Sequence, residues 1–144
     1  MQLSETVKLY MTKEQKTHIA ATMTEYIKTV NHLVSVAING TSISKYTTAD
    51  VAADLPSAIT NQCIRDAKSI VSKYNKAVRK AARNQKSAKQ DPKKKEKEVK
   101  VPVLKKPCCY INNQNFRLRE DAIEFPVCIN GKSKRIAVRT AMTE

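Results

Sequence analysis

The chain of 144 residues has no tryptophan, two phenylalanines and two glycines. That shortage argues against a large sheet protein and leaves a helical or mixed domain around one modest core. No stretch approaches the roughly 18 consecutive apolar residues of a membrane span, and Met1-Gln2-Leu3-Ser4-Glu5 is not the basic start of a secretion signal. A soluble cytoplasmic protein is expected, with no membrane partner. Cys63, Cys108, Cys109 and Cys128 lack the regular spacing of a disulfide framework, and the adjacent pair Cys108-Cys109 cannot bridge comfortably to itself. Reduced thiols follow.

Chemistry-bearing constellations are equally scarce. The cysteines do not form the C-x2-C pair that brings two thiolates to one zinc ion. His18 and His32 sit about 20 Å apart along one helix at 1.5 Å per residue, too far to share a ligand. Asp50 and Asp54 could chelate a cation, but capping explains the first and solvent exposure the second. Two-metal chemistry needs further converging carboxylates, and nothing supplies them. The chain reads as non-catalytic, with no metal and no cofactor.

What is present is positive charge in one place. Between Lys73 and Lys106 stand 14 Lys/Arg against 3 Asp/Glu, a local balance of +11, whereas residues 1–72 and 107–144 carry +1 and +2. A solubility device would be spread out. A concentrated cationic stretch suits a polyanion, because each neutralised phosphate releases condensed counterions.

Residues 3–11 alternate, with Leu3, Val7, Leu9 and Met11 on one side, which predicts a half-buried strand. Thr12-Lys13-Glu14-Gln15 fits a capping box and starts a helix from about Lys13 to Ile38, ended by Asn39-Gly40. Ile19, Met23, Tyr26, Ile27, Val30, Leu33, Val34 and Ala37 form its apolar stripe. Thr47-Thr48-Ala49-Asp50 can cap a short helix through Leu55, and Pro56-Ser57 opens a second long helix to about Lys86. On that helix Ile59, Cys63, Ala67, Ile70, Val71, Tyr74, Val78 and Ala81 share one side. Arg65, Lys68, Lys73, Lys76, Arg79, Lys80, Arg83 and Lys86 occupy the opposite half.

Residues 87–107 form a Lys/Glu/Pro-rich linker that includes Lys93, Lys94, Lys95, Lys105 and Lys106. Beyond it the period becomes two, and Cys109–Ile111, Asn115–Arg119, Ala122–Ile129 and Lys134–Thr140 read as strands. Asn130-Gly131 marks a tight hairpin. A lone N-terminal strand has nothing to pair with. The expected fold is therefore α+β: a small five-stranded antiparallel β-barrel or sheet from residues 1–11 and 108–144, with a helical lobe inserted over residues 12–86. That lobe would hold two long helices and one short one.

The candidate phosphate-contacting residues are Lys73, Lys76, Arg79, Lys80, Arg83, Lys86, Lys93, Lys94, Lys95, Lys105 and Lys106. They would position a backbone, not read bases. Tyr26 and Tyr74 lie on packing stripes, which leaves Tyr46, in a loop, as the candidate to stack on a base. In the competing reading the chain is a protein-interaction adaptor whose two long helices dock a partner, with the lysines merely solubilising it.

Particular stretches carry a resemblance: Thr6 to Lys16 (TVKLYMTKEQK), Tyr26 to Ala37 (YIKTVNHLVSVA), Pro56-Ser57 with Gln62 to Ala67 (QCIRDA), Asn115 to Leu118 (NFRL) and Lys134 to Val138 (KRIAV). The order resembles the N-terminal part of the TnpB (OrfB) family of transposon-encoded RNA-guided nucleases, often labelled transposase and similar to miniature type V CRISPR effectors. The resemblance implies a wedge barrel and a recognition lobe that together hold a guide-RNA scaffold and contact double-stranded target DNA. It also implies a C-terminal RuvC-like nuclease domain, metal-dependent and beginning about where this chain stops.

Overall fold

Thr12 ends an extended N-terminal segment and begins a helix. Its amide donates to Gln15 Oε1 at 3.1 Å, and its hydroxyl accepts from the Gln15 amide at 3.1 Å, closing the capping box. The computed structural model, which describes residues 4–88, 99–112 and 114–140, places helix α1 at Lys13–Ile38, the range the sequence predicts. It stops as a Schellman turn. The Gly40 amide returns to the Ala37 carbonyl and the Thr41 amide to the Val36 carbonyl, with Gly40 at φ 106°.

Helix α2 runs Ser57–Ala88, started by Pro56, whose carbonyl accepts from the Ile59 and Thr60 amides. The two helices bury their apolar stripes in each other. Tyr26, Val30, Leu33 and Val34 of α1 meet Ile59, Cys63, Ile64 and Ala67 of α2, with Ile43 from the connecting loop closing the cluster. Full burial of each large aliphatic side chain contributes about 1.5–3 kcal/mol. Among the described residues no member of α2 beyond Val71 belongs to either hydrophobic cluster, and Val78, on the predicted stripe, is 40% exposed. The last half of α2 thus extends past the core.

Strands β1 (Arg117–Leu118), β2 (Ala122–Ile129) and β3 (Lys132–Arg139) form one antiparallel sheet in that order. Asn130 and Gly131 take φ 51° and 75°, as a two-residue type I′ hairpin requires, and set Ile129 opposite Lys132. Ile123, Phe125, Val127 and Ile129 alternate onto the inner face and pack with Ile136 and Val138 against Ile19 and Met23 of α1. Among the described residues no helix is long and apolar enough to cross a membrane.

The α+β class stands, but the five-stranded barrel is not formed. The described sheet is open and has three strands. Among the described residues the N-terminal segment meets it through a single bridge, Tyr10 to Arg139, with the Tyr10 amide on the Arg139 carbonyl at 2.7 Å. Toward α1 that pairing cannot propagate. Two residues along β3, the Ala137 carbonyl already accepts from Gln15 Nε2 at 2.8 Å, and Thr12, which would have faced it, is capping α1. Leu9 alone of the predicted apolar side packs on the sheet's inner cluster, while Val7 and Met11 are exposed, so the half-buried strand expected from the alternation is not formed among the described residues.

Two further expectations are corrected. The short helix through Leu55 is one 3₁₀ turn at Thr48–Asp50, because the Asp50 carboxylate takes the Thr47 amide and Val51 is already extended at φ −117°, ψ 115°. Pro56 also disfavours helix at Leu55. Cys109–Ile111 is not a strand: Cys108, Cys109 and Ile111 pack on the helical cluster, and the Tyr110 ring meets Tyr26 edge-on at 6.2 Å.

Candidate nucleic-acid interface

Helix α2 carries eight Lys/Arg and one acidic residue, Asp66. That carboxylate accepts a hydrogen bond from the buried Tyr26 hydroxyl. Burial, then the hydrogen bond to Asp66 and its charge, push the Tyr26 phenol far above its ordinary value. At about 100° per residue the cations span an arc of about 140° on the side away from the core. Arg65, Lys73, Lys76, Arg79, Lys80 and Arg83 are all exposed.

Lys73, Lys76, Lys80 and Arg83 step by three and four residues, so their charged groups form a line with rises of about 4.5–6 Å. The ion pairs among the described residues, His18 with Glu14 and Arg119 with Glu124, leave this row untouched. A single-sign row on a helix beyond the core keeps each ammonium and guanidinium hydrated and accessible. It can bind phosphate by charge.

One flank of the row opens into a groove of about 600 Å³ between α2 and the loop after α1. Lys68, Lys76 and Arg79 line it together with Ser42, Ser44, Ser72 and Asn75. Lys68 Nζ donates to the Ser44 carbonyl at 3.0 Å, tying the loop to the helix. The loop is held there because Ile43 is buried in the helical core. Nothing in the sequence pattern marks Ser42, Ser44, Ser72 or Asn75, since their convergence depends on that one buried isoleucine.

The remaining candidates separate. Tyr46 is half-buried against the core and lines a different cavity of about 400 Å³ with His32, Glu25 and Asp50, whose lining includes no residue of α2. It is not part of the basic face. Lys105 and Lys106 are exposed beside Leu104, which Asn31 of α1 grips through both backbone groups, at 3.0 and 2.9 Å. No described hydrogen bond or ion pair joins them to the α2 row. The Lys86 side chain and Lys93, Lys94 and Lys95 lie outside the described residues.

Cys63 and Cys109 are not poised for nucleophilic chemistry. Burial pushes Cys63 and Cys109 up to about 12, each further raised by a neighbouring cysteine. Among the described residues no group of three His, Cys, Asp or Glu side chains could hold a metal ion.

Comparison with protein-family models, curated proteins and solved structures finds no match. With no such match, and with an open three-stranded sheet in place of the wedge barrel, the assignment as a transposase, TnpB/OrfB protein or RNA-guided nuclease of a transposable element is not sustained.

Proposed function

We propose that this chain is a non-catalytic nucleic-acid-binding domain that grips the phosphate backbone through the basic face of α2, largely without regard to sequence. The observation that carries the reading is the exposed row Lys73, Lys76, Arg79, Lys80 and Arg83 on a helix segment that leaves the hydrophobic core. Such a row offers charge at intervals close to those of a polynucleotide backbone and no rigid donor set aimed at base edges. The same helix carries little acidic charge to compete, because its one carboxylate is turned to Tyr26.

The adaptor reading requires an apolar helix face on offer to a partner. The stripes of α1 and α2 pack against each other as far as Val71, and beyond it Val78 is the one large apolar side chain exposed among the described residues of α2, beside a row of cations, which favours the phosphate reading. Charge reversal of Lys76, Lys80 and Arg83 to Glu tests the proposal. Affinity for RNA and DNA of unrelated sequences should fall by similar factors, measured by fluorescence anisotropy on protein whose circular dichroism is unchanged. Undiminished binding would show that another surface is used.

A further inference from the structure

The groove beside the basic row differs from the row itself. Its floor is apolar, formed by Ala37, Ile43 and Val71, and its walls carry the hydroxyls of Ser42, Ser44 and Ser72 and the amide of Asn75. Lys76 and Arg79 stand exposed at its rim. Among the described residues no carboxylate lines it. We propose that this groove is a seat for one nucleotide unit of a single-stranded nucleic acid, its phosphate on Lys68, Lys76 and Arg79 and its base or sugar against Val71, Ile43 and Ala37. This rests on the nucleic-acid reading above and adds the form of the ligand.

Three features select that ligand. A free inorganic anion would use the cations but leave the apolar floor covered by water. A hydrocarbon chain would cover the floor but meet hydroxyls and an amide along both walls, leaving them without partners. A nucleotide has an anionic end, hydrogen-bonding edges and a flat apolar face, and so matches all three parts at once. The volume, about 600 Å³, also falls within the range of about 300–1,000 Å³ typical of small-molecule sites.

A duplex keeps its bases stacked inside and can present only its backbone to α2. An unpaired strand can turn a base out into the groove. The wall is formed before any ligand arrives, because Lys68 holds the Ser44 carbonyl, Ser42 and Ser44 share a hydroxyl contact at 3.0 Å, and Ile43 is anchored in the core. Lys76 and Arg79 belong both to the rim and to the exposed row, so a strand seated in the groove continues onto Lys80 and Arg83.

The test uses the full chain and three labelled probes: a mixed-sequence RNA strand, the DNA strand of the same sequence, and that DNA annealed to its complement. The single strands should bind about tenfold tighter than the duplex, the scale of covering part of one base face with aliphatic side chains. The double variant Ser72→Leu/Asn75→Leu fills one wall with bulk that is neither charged nor aromatic, and Ser42→Leu does the same from the opposite wall. Either should abolish the single-strand preference while leaving duplex affinity and its salt dependence in place, and the second guards against a folding defect in the first. Equal binding of strand and duplex by the unaltered protein, or a preference that survives both fillings, overturns the nucleotide seat while the backbone-binding reading stands. If no probe binds in a salt-dependent way, the backbone reading itself has failed and the seat with it. A preference confined to the RNA strand or to the DNA strand supports the seat and identifies its sugar.

Discussion

Changing Lys76 to Glu should strengthen helix α2 while weakening the function assigned to it. Lys76 is exposed and faces three cations on the same helix side: Lys73 three residues back, Arg79 three ahead and Lys80 four ahead. Each like-charge neighbour costs about 0.2–0.5 kcal/mol and each opposite pair contributes about as much, so three inversions amount to about 1–2 kcal/mol at low salt after allowing for solvent exposure. The glutamate also precedes Lys80 by four residues, the better orientation of such a pair. Because no described residue of α2 beyond Val71 joins a hydrophobic cluster, the gain should be local to the extended half of the helix. Amide hydrogen exchange reads it directly: residues 77–84 should exchange about 5–30-fold more slowly, and the difference should shrink in high salt as screening sets in. Affinity for nucleic acid should fall in the same variant. Faster exchange, or protection indifferent to salt, would refute the picture of a helix whose local stability is sacrificed to a cationic row.

Other consequences lie in the scaffold. Tyr26→Phe deprives the half-buried Asp66 carboxylate of its phenol donor and should lower stability by about 1–3 kcal/mol in urea unfolding. Gln15→Ala removes both the cap on the Thr12 amide and the link to the Ala137 carbonyl, costing about 1 kcal/mol and hastening exchange at Thr12 and Gln15. Cys63 and Cys109 are raised from 9.0 to about 12 by burial, so they stay protonated in the folded state where an unfolded chain would release those protons. Their contribution to stability is therefore full below pH 9 and lost as the pH rises through about 12, and an alkaline unfolding transition should move to higher pH in Cys63→Ala/Cys109→Ala if the protein remains folded.

Local signals were legible because short-range chemistry decides them. The capping box at Thr12, the stop at Asn39-Gly40 and the Asn130-Gly131 hairpin each depend on a few adjacent residues, and all three form. The barrel was not legible, because alternation in residues 3–11 suggests a side to be buried but says nothing of whether a strand edge is free to receive it, and Val7 and Met11 stay exposed. Here the Gln15 side chain occupies the Ala137 carbonyl that the next ladder position would need. The short helix failed for a similar reason, since Asp50 satisfies Thr47 within one turn and Pro56 closes off the rest. At the candidate site, helical periodicity alone places the basic face of α2. The groove beside it was hidden in the sequence, because it needs Ile43 buried to bring Ser42 and Ser44 across to Lys68.

The most direct measurement is the salt dependence of nucleic-acid affinity for the unaltered chain and for a neutralised row, Lys76→Gln/Lys80→Gln/Arg83→Gln. Plotted as log affinity against log salt, the unaltered chain should fall linearly, and the neutralised row should lose about 2–3 from the slope, close to one per phosphate contact removed. A flat line for the unaltered chain, or a slope the three substitutions leave unchanged, would contradict the assignment of α2 as the backbone-binding surface.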